Sequence, residues 1–150
     1  MHVMKQIIFY VAGMLITSLA VAAPTSKVLQ EFKKTFPNAE NVKWNDGSDG
    51  YSVSFYSNEC FEKVLYNKQG DFVCSWRYSD GKELPTNIVM MLNKKYGSDS
   101  KMVGVTELTT QESTEYNIKF IKGSKLYAID VTPDGDVTKE QKFINQDTNE

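Results

Sequence analysis

Histidine is all but missing from this chain. The one imidazole, His2, lies in the first residues, which read as a leader that is removed. Without it the remaining chain has no ordinary metal ligand of that type and no base for a serine or cysteine triad. Arginine is nearly as scarce: Arg77 stands alone, set among aromatics. Phosphate-backbone binding leans on clustered basic residues, and the formal charge is −2 at pH 7, one unit more acidic once Lys5 leaves with the leader. Nucleic acid is therefore not an expected partner. Serines, lysines and acids are plentiful, but none sits in a recognisable nucleophile motif, so no catalytic residue is assigned.

Long apolar runs are also lacking, except for one from Ile7 to Ala20 that follows Lys5 and ends in Ala20-Val21-Ala22. It falls short of the roughly 18–20 residues needed to span a bilayer, and no basic stop-transfer cluster follows. A small-x-small site after Ala22 marks it as a cleaved signal peptide. The expected destination is the periplasm or the exterior, with no membrane anchor after cleavage. About 128 residues remain, enough for one compact domain or two intimate halves.

Cysteine is limited to Cys60 and Cys74. Asn67-Lys68-Gln69-Gly70 reads as a type I turn with Gly70 as the left-handed bulge residue. That register pairs Asn67 with Asp71, Val64 with Cys74 and Cys60 with Tyr78. It puts Cys60, Val64, Tyr66, Phe72, Cys74, Trp76 and Tyr78 on one face, the core side, with the two sulfurs on the order of 13 Å apart, beyond the reach of a disulfide. Two free thiols are expected.

Proline is sparse, and each one that remains after the leader punctuates the chain. Phe32 and Phe36 lie four apart on one helical face, and Pro37 stops that helix. Val42 and Trp44 then alternate with polar neighbours and open a first strand. Ser26 or Thr25 caps the helix, whose apolar stripe is Val28, Leu29, Phe32 and Phe36. Strands follow around Val42–Trp44, Tyr51–Tyr56, Phe61–Tyr66 and Phe72–Tyr78. Leu84-Pro85 opens a second helix carrying Ile88, Met91, Leu92 and Tyr96, with Gly97 as its C-cap. Four more strands are read around Met102–Leu108, Glu115–Ile121, Leu126–Thr132 and Asp136–Phe143.

The halves superimpose. At one constant offset Tyr51, Val53 and Phe55 fall on Tyr116, Ile118 and Phe120, and Gly70-Asp71 falls on Gly135-Asp136. At another, Val28, Phe32 and Phe36 fall on Ile88, Leu92 and Tyr96. The fold class is α+β, a tandem duplication of helix plus four-stranded antiparallel sheet, with the helices on one sheet face. The domain reading is leader 1–22, first repeat 23–82, second repeat 83–144 and a tail over 145–150.

The residues Phe32-x-x-x-Phe36-Pro37-x-Ala39-x-x-Val42-x-Trp44, then Tyr66-x-x-x-Gly70, then Leu84-Pro85, resemble the PepSY-like, β-lactamase-inhibitor-protein-like family of exported Bacteroidetes proteins. The resemblance covers roughly residues 26–143. It implies the αββββ repeat and a role in binding or inhibiting other proteins, with no catalytic residues to carry over. In the second half Tyr96-Gly97 replaces Phe-Pro and Val105 stands where a Trp would be, so the two halves need not be equivalent surfaces.

Two acidic stretches invite a site. Asp130, Asp134 and Asp136 lack the oxygen ladder of a calcium loop and read as a turn. Asp46-Gly47-Ser48-Asp49-Gly50 reads as a long glycine-rich tip, whose Asp46 and Asp49 are candidates to touch a partner. No metal or cofactor is expected. Trp44 and Trp76 read as core, since each sits in an alternating strand. Tyr56 has the opposite parity from Tyr51, Val53 and Phe55, and Phe61, Leu65 and Val73 also fall away from the core. Together these four form a candidate partner-binding patch on the open sheet face. The function expected is a non-enzymatic protein-binding module, a steric inhibitor or regulator of an exported hydrolase. The alternative is a small-ligand or glycan binder using the exposed aromatics.

Overall fold

A computed structural model describes residues 24–144. The leader with its cleavage site and the 145–150 tail lie outside the described residues. Among those described, no helix is long and apolar enough to cross a membrane.

Helix α1 (Ser26–Thr35) begins at Thr25, whose hydroxyl accepts from the Val28 amide at 3.5 Å. It ends where Pro37 forbids continuation, with Phe36 donating back to the Phe32 carbonyl. Four strands follow: β1 (Glu40–Asp46), β2 (Gly50–Ser57), β3 (Cys60–Asn67) and β4 (Phe72–Ser79). Helix α2 (Thr86–Tyr96) starts after Pro85, and Gly97 takes the left-handed φ of 87° that closes it. The strands β5 (Lys101–Thr110), β6 (Thr114–Lys122), β7 (Lys125–Val131) and β8 (Val137–Ile144) complete the chain.

All eight strands form one antiparallel sheet in sequence order, with β4 paired to β5 from Cys74↔Thr110 to Ser79↔Val105. The protein is thus α+β, with two helices on a single sheet rather than two sheets. Each helix covers its own end of one sheet face. Val28 and Phe32 pack on Val53, Phe55, Val64 and Tyr66, joined at the margin by Trp44. Ile88 and Tyr96 pack on Val105, Ile118, Phe120, Ile129 and Val131. Burying these side chains contributes about 1.5–3 kcal/mol apiece, which is what holds the helices down. Edge strand β8 is tied to α2 by Glu140, which accepts from the Tyr96 hydroxyl at 2.7 Å and pairs with Lys95 and Lys142. Hydrogen bonds from Lys142 and Tyr96 hold the Glu140 carboxyl down at about 2.

Between the two apolar clusters the same face is polar. One transverse row runs Phe55, Glu62, Arg77, Glu107, Tyr116 and Val131 across β2 to β7. Arg77 reaches Glu62 at 3.7 Å, pairs with Glu83 and donates to Cys60 Sγ at 3.6 Å. Burial pushes the Glu62 carboxyl up, Arg77 pulls against it, and Glu107 and Glu83 push further up. An acid whose folded pKa lies above its unfolded value opposes folding while ionised. That penalty is present above the folded pKa and fades as the pH falls through it. Glu62→Gln is therefore expected to melt higher than the parent at pH 7, with the gap closing toward pH 4. Equal melting temperatures at both pH values would refute this.

The β3–β4 hairpin departs from the register read in the sequence. The turn itself is as expected: the Asn67 amide donates to the Asp71 carbonyl at 2.9 Å, and Gly70 has φ 85°. A second bulge follows at once, because Tyr66 faces Phe72 while Leu65 faces Cys74, leaving Val73 as the extra residue. Every later residue of β4 is inverted. Val64 pairs with Ser75, not Cys74, and Tyr78 pairs with Phe61, not Cys60. Cys74, Trp76 and Tyr78, read as core-facing, lie on the open face, and Ser75 and Arg77 take the helix side. Cys60 and Cys74 are free, and they are kept apart by the sheet itself, one on each face.

Candidate interaction surface

The helices leave the opposite face of the sheet uncovered, so its residues follow from strand parity and register alone. Three neighbouring rows cross it at the β1–β5 end. The first runs Tyr56, Phe61, Tyr78 and Thr106. The second runs Lys43, Ser54, Lys63, Trp76 and Leu108. The third runs Asn45, Ser52, Leu65, Cys74 and Thr110.

The first row is a ladder of rings. Tyr56 and Phe61 meet edge to face with centroids 5.4 Å apart, and Phe61 and Tyr78 follow at 5.8 Å. They are 46%, 37% and 43% exposed. Three adjacent rings left this open to water are costly in solvent and favourable once covered. Their hinge is the tight β2–β3 turn, where Asn58 and Glu59 both adopt positive φ and bring Ser57 opposite Cys60.

The structure separates the sequence candidates into distinct places. Tyr56 and Phe61 belong to the ring ladder. Leu65 is half-buried and Val73 is 39% exposed on its bulge. Both line a shallow surface concavity of about 350 Å³ together with Ser52, Asn45 and Asp49. Asp49 is exposed in the loop. Asp46 is elsewhere: it is the last residue of β1, registered with core-facing Tyr51, and its carboxylate takes a 2.6 Å bond from Lys68. The long glycine-rich tip is in fact three residues, closed by the Gly47 amide on the Gly50 carbonyl.

Sequence reasoning placed Tyr78 and Trp76 on the wrong face, and both belong to this surface. The signal that would have found them is weak: Val73 is an ordinary strand residue, and nothing in its type announces a bulge. Trp44 does sit against the core, edge-on to Phe32 at 5.2 Å. The Asp130–Asp136 stretch is a turn built like the one at Asn67–Asp71, with Thr132 donating to the Asp136 carbonyl and Gly135 at φ 93°. Asp130 accepts from Asn117 instead of facing that loop. Among the described residues no three acids, cysteines or histidines converge as metal ligands would.

This face presents rings, aliphatic side chains, hydroxyls, the ammonium groups of Lys43 and Lys63 and the free thiol of Cys74.

No family model matches the chain, and no curated protein matches it. Solved structures do. A BLIP-like protein from Bacteroides fragilis NCTC 9343 is 18% identical with a TM-score of 0.62, over 85% of this chain and 92% of that one. A DUF2874 family protein from Bacteroides ovatus ATCC 8483 is 21% identical with a TM-score of 0.61, over 80% and 88%. A candidate periplasmic protein from Bacteroides eggerthii DSM 20697 is 22% identical with a TM-score of 0.61, over 82% and 91%. At these identities the likeness is one of architecture: the chain has the fold of the BLIP-like and DUF2874 family proteins.

Proposed function

We propose that this chain is an exported, non-enzymatic protein-binding module of the periplasm, built from two tandem αββββ units of PepSY-like type. It acts sterically on a protein partner, an exported hydrolase being the class it suits, by laying the open sheet face over the partner's surface. The observation that supports this reading is the exposed ladder Tyr56–Phe61–Tyr78 on a sheet face that the described residues leave uncovered. Aromatic anchors of this kind supply a large share of interface energy. The apolar leader and the likeness to a candidate periplasmic protein support the location.

Rings on an open face also stack on sugars, so the test must separate the two. The processed protein and a Tyr56→Ser/Phe61→Ser/Tyr78→Ser variant are each used to capture ligands from periplasmic extract, and each is titrated with soluble glycans while Trp fluorescence is followed. The expected result is one dominant protein held by the parent, with affinity reduced about 100-fold in the variant. The variant should melt within a few degrees of the parent, because its rings are not in either core. Saturable fluorescence change with a glycan, and no protein captured, would replace this reading with the carbohydrate one.

A further inference from the structure

Charge is distributed unevenly between the two faces of the β1–β4 end. Its strand carboxylates Asp46 and Glu62 point to the helix side, where Lys68 and Arg77 hold them. Glu40 is the exception: registered with Tyr56, it shares the open face at the outer end of β1, beside the ring ladder. On the open face, Lys43 and Lys63 flank Ser54 in one transverse row, Lys43↔Ser54 and Ser54↔Lys63. Neither lysine takes part in an ion pair among the described residues. Both are exposed, whereas Ser54 between them is half-buried. Adjacent strands are about 4.8 Å apart, so the two lysine Cα atoms stand about 10 Å apart across a single small side chain. Two ammonium groups and a hydroxyl thus border one low point of the sheet. The Tyr56–Phe61–Tyr78 ladder lies on one side of it and Leu65 with Val73 on the other. Lys63 also extends along Trp76, its Nζ 6.0 Å from the ring centroid.

We propose that the Lys43–Ser54–Lys63 row receives a carboxylate side chain of the protein partner, on an extended segment in which an Asp or Glu is flanked by apolar residues. This rests on the protein-binding reading above and adds the chemistry of what is bound. Like charges held near each other on an uncovered face repel, and an incoming anion relieves that repulsion while accepting charge-assisted hydrogen bonds. The flanking apolar residues of the segment cover the ring ladder on one side and the Leu65–Val73 shelf on the other. A polyanion such as nucleic acid fits less well, because the only arginine is turned to the helix side and the chain as a whole is acidic.

The probe is a random dodecapeptide display library selected on the immobilised processed protein at low salt, with heparin and polyuridylate as polyanion competitors. Selected peptides are expected to carry Asp or Glu between apolar residues. Changing that acid to Asn or Gln should weaken binding to the parent about tenfold. On a Lys43→Gln/Lys63→Gln variant, confirmed to melt like the parent, the same change should have no effect, and rising salt should remove the parent's preference. Selected peptides that need Tyr56, Phe61 and Tyr78 but are indifferent to their own acids would overturn the carboxylate assignment and leave the protein-binding reading standing. Retention of heparin or polyuridylate through Lys43 and Lys63, with no peptide selected, would overturn both.

Discussion

Phe55→Ala is expected to cost about 4 kcal/mol, a large part of the roughly 5–15 kcal/mol that holds a domain of this size together. Phe55 has no solvent exposure and lies between Phe32 and Phe36, at ring centroid distances of 5.0 and 4.7 Å. Removing its ring takes away the surface on which the last turns of α1 rest, and the neighbours cannot collapse into the gap. Val53, Val64 and Phe32 are fixed by strand pairing and by the helix. Urea unfolding checks the magnitude. The matched control is Phe61→Ala, one strand over on the open face, which should cost under about 1 kcal/mol. Equal losses at the two positions would mean that the faces have been assigned wrongly, and the proposed interaction surface would go with them.

Gly50→Ala is the second large effect, at about 3 kcal/mol, and it arises from overcrowding instead of a cavity. A methyl group at Gly50 would stand 2.0 Å from the Tyr66 carbonyl oxygen and 3.0 Å from the Asn67 Cα. Both obstacles are backbone, so no side-chain rotation relieves the clash. The β2–β3 ladder would have to open where Gly50 pairs with Asn67, beside buried Tyr66 and at the rim of the Leu65–Val73 concavity. Gly104→Ala is the contrast. Its added methyl finds nothing nearer than 3.7 Å and should change stability by no more than about 0.5 kcal/mol. Thermal melts of the two variants separate these cases, and a Gly50→Ala protein as stable as the parent would refute the close approach.

The two effects mark how far local reading carries. Phe55 was legible as core because Tyr51, Val53 and Phe55 alternate without interruption, and α1 was legible from Phe32, Phe36 and Pro37. Gly50 was legible only as a turn residue. Its closeness to Tyr66 depends on which strand lies beside it.

The candidate site divides along the same line. Tyr56 and Phe61 could be placed on the open face from parity within β2 and β3, since both strands are regular from Tyr51 to Tyr66. Tyr78 and Trp76 could not, because one unpaired residue, Val73, inverts the remainder of β4. Asp46 had the right type for a contact at a loop tip, but Lys68 across the β3–β4 turn takes its charge on the other face. The pairing of Lys43 with Lys63 across Ser54 involves three strands, and no spacing along the chain encodes it.

The sequence by itself determined the elements: two helices stopped by Pro37 and Gly97, eight strands of period two, and, outside β4, the apolar positions that each helix covers. These are short-range consequences of backbone geometry and of hydrophobic period. Tertiary structure alone decided that the eight strands make one sheet through the β4–β5 pairing and that β4 changes face after Val73. It also decided that rings and lysines meet on the side without helices. Registers between strands are set by hydrogen bonds between residues far apart in the chain, and a shift of one residue exchanges the two faces.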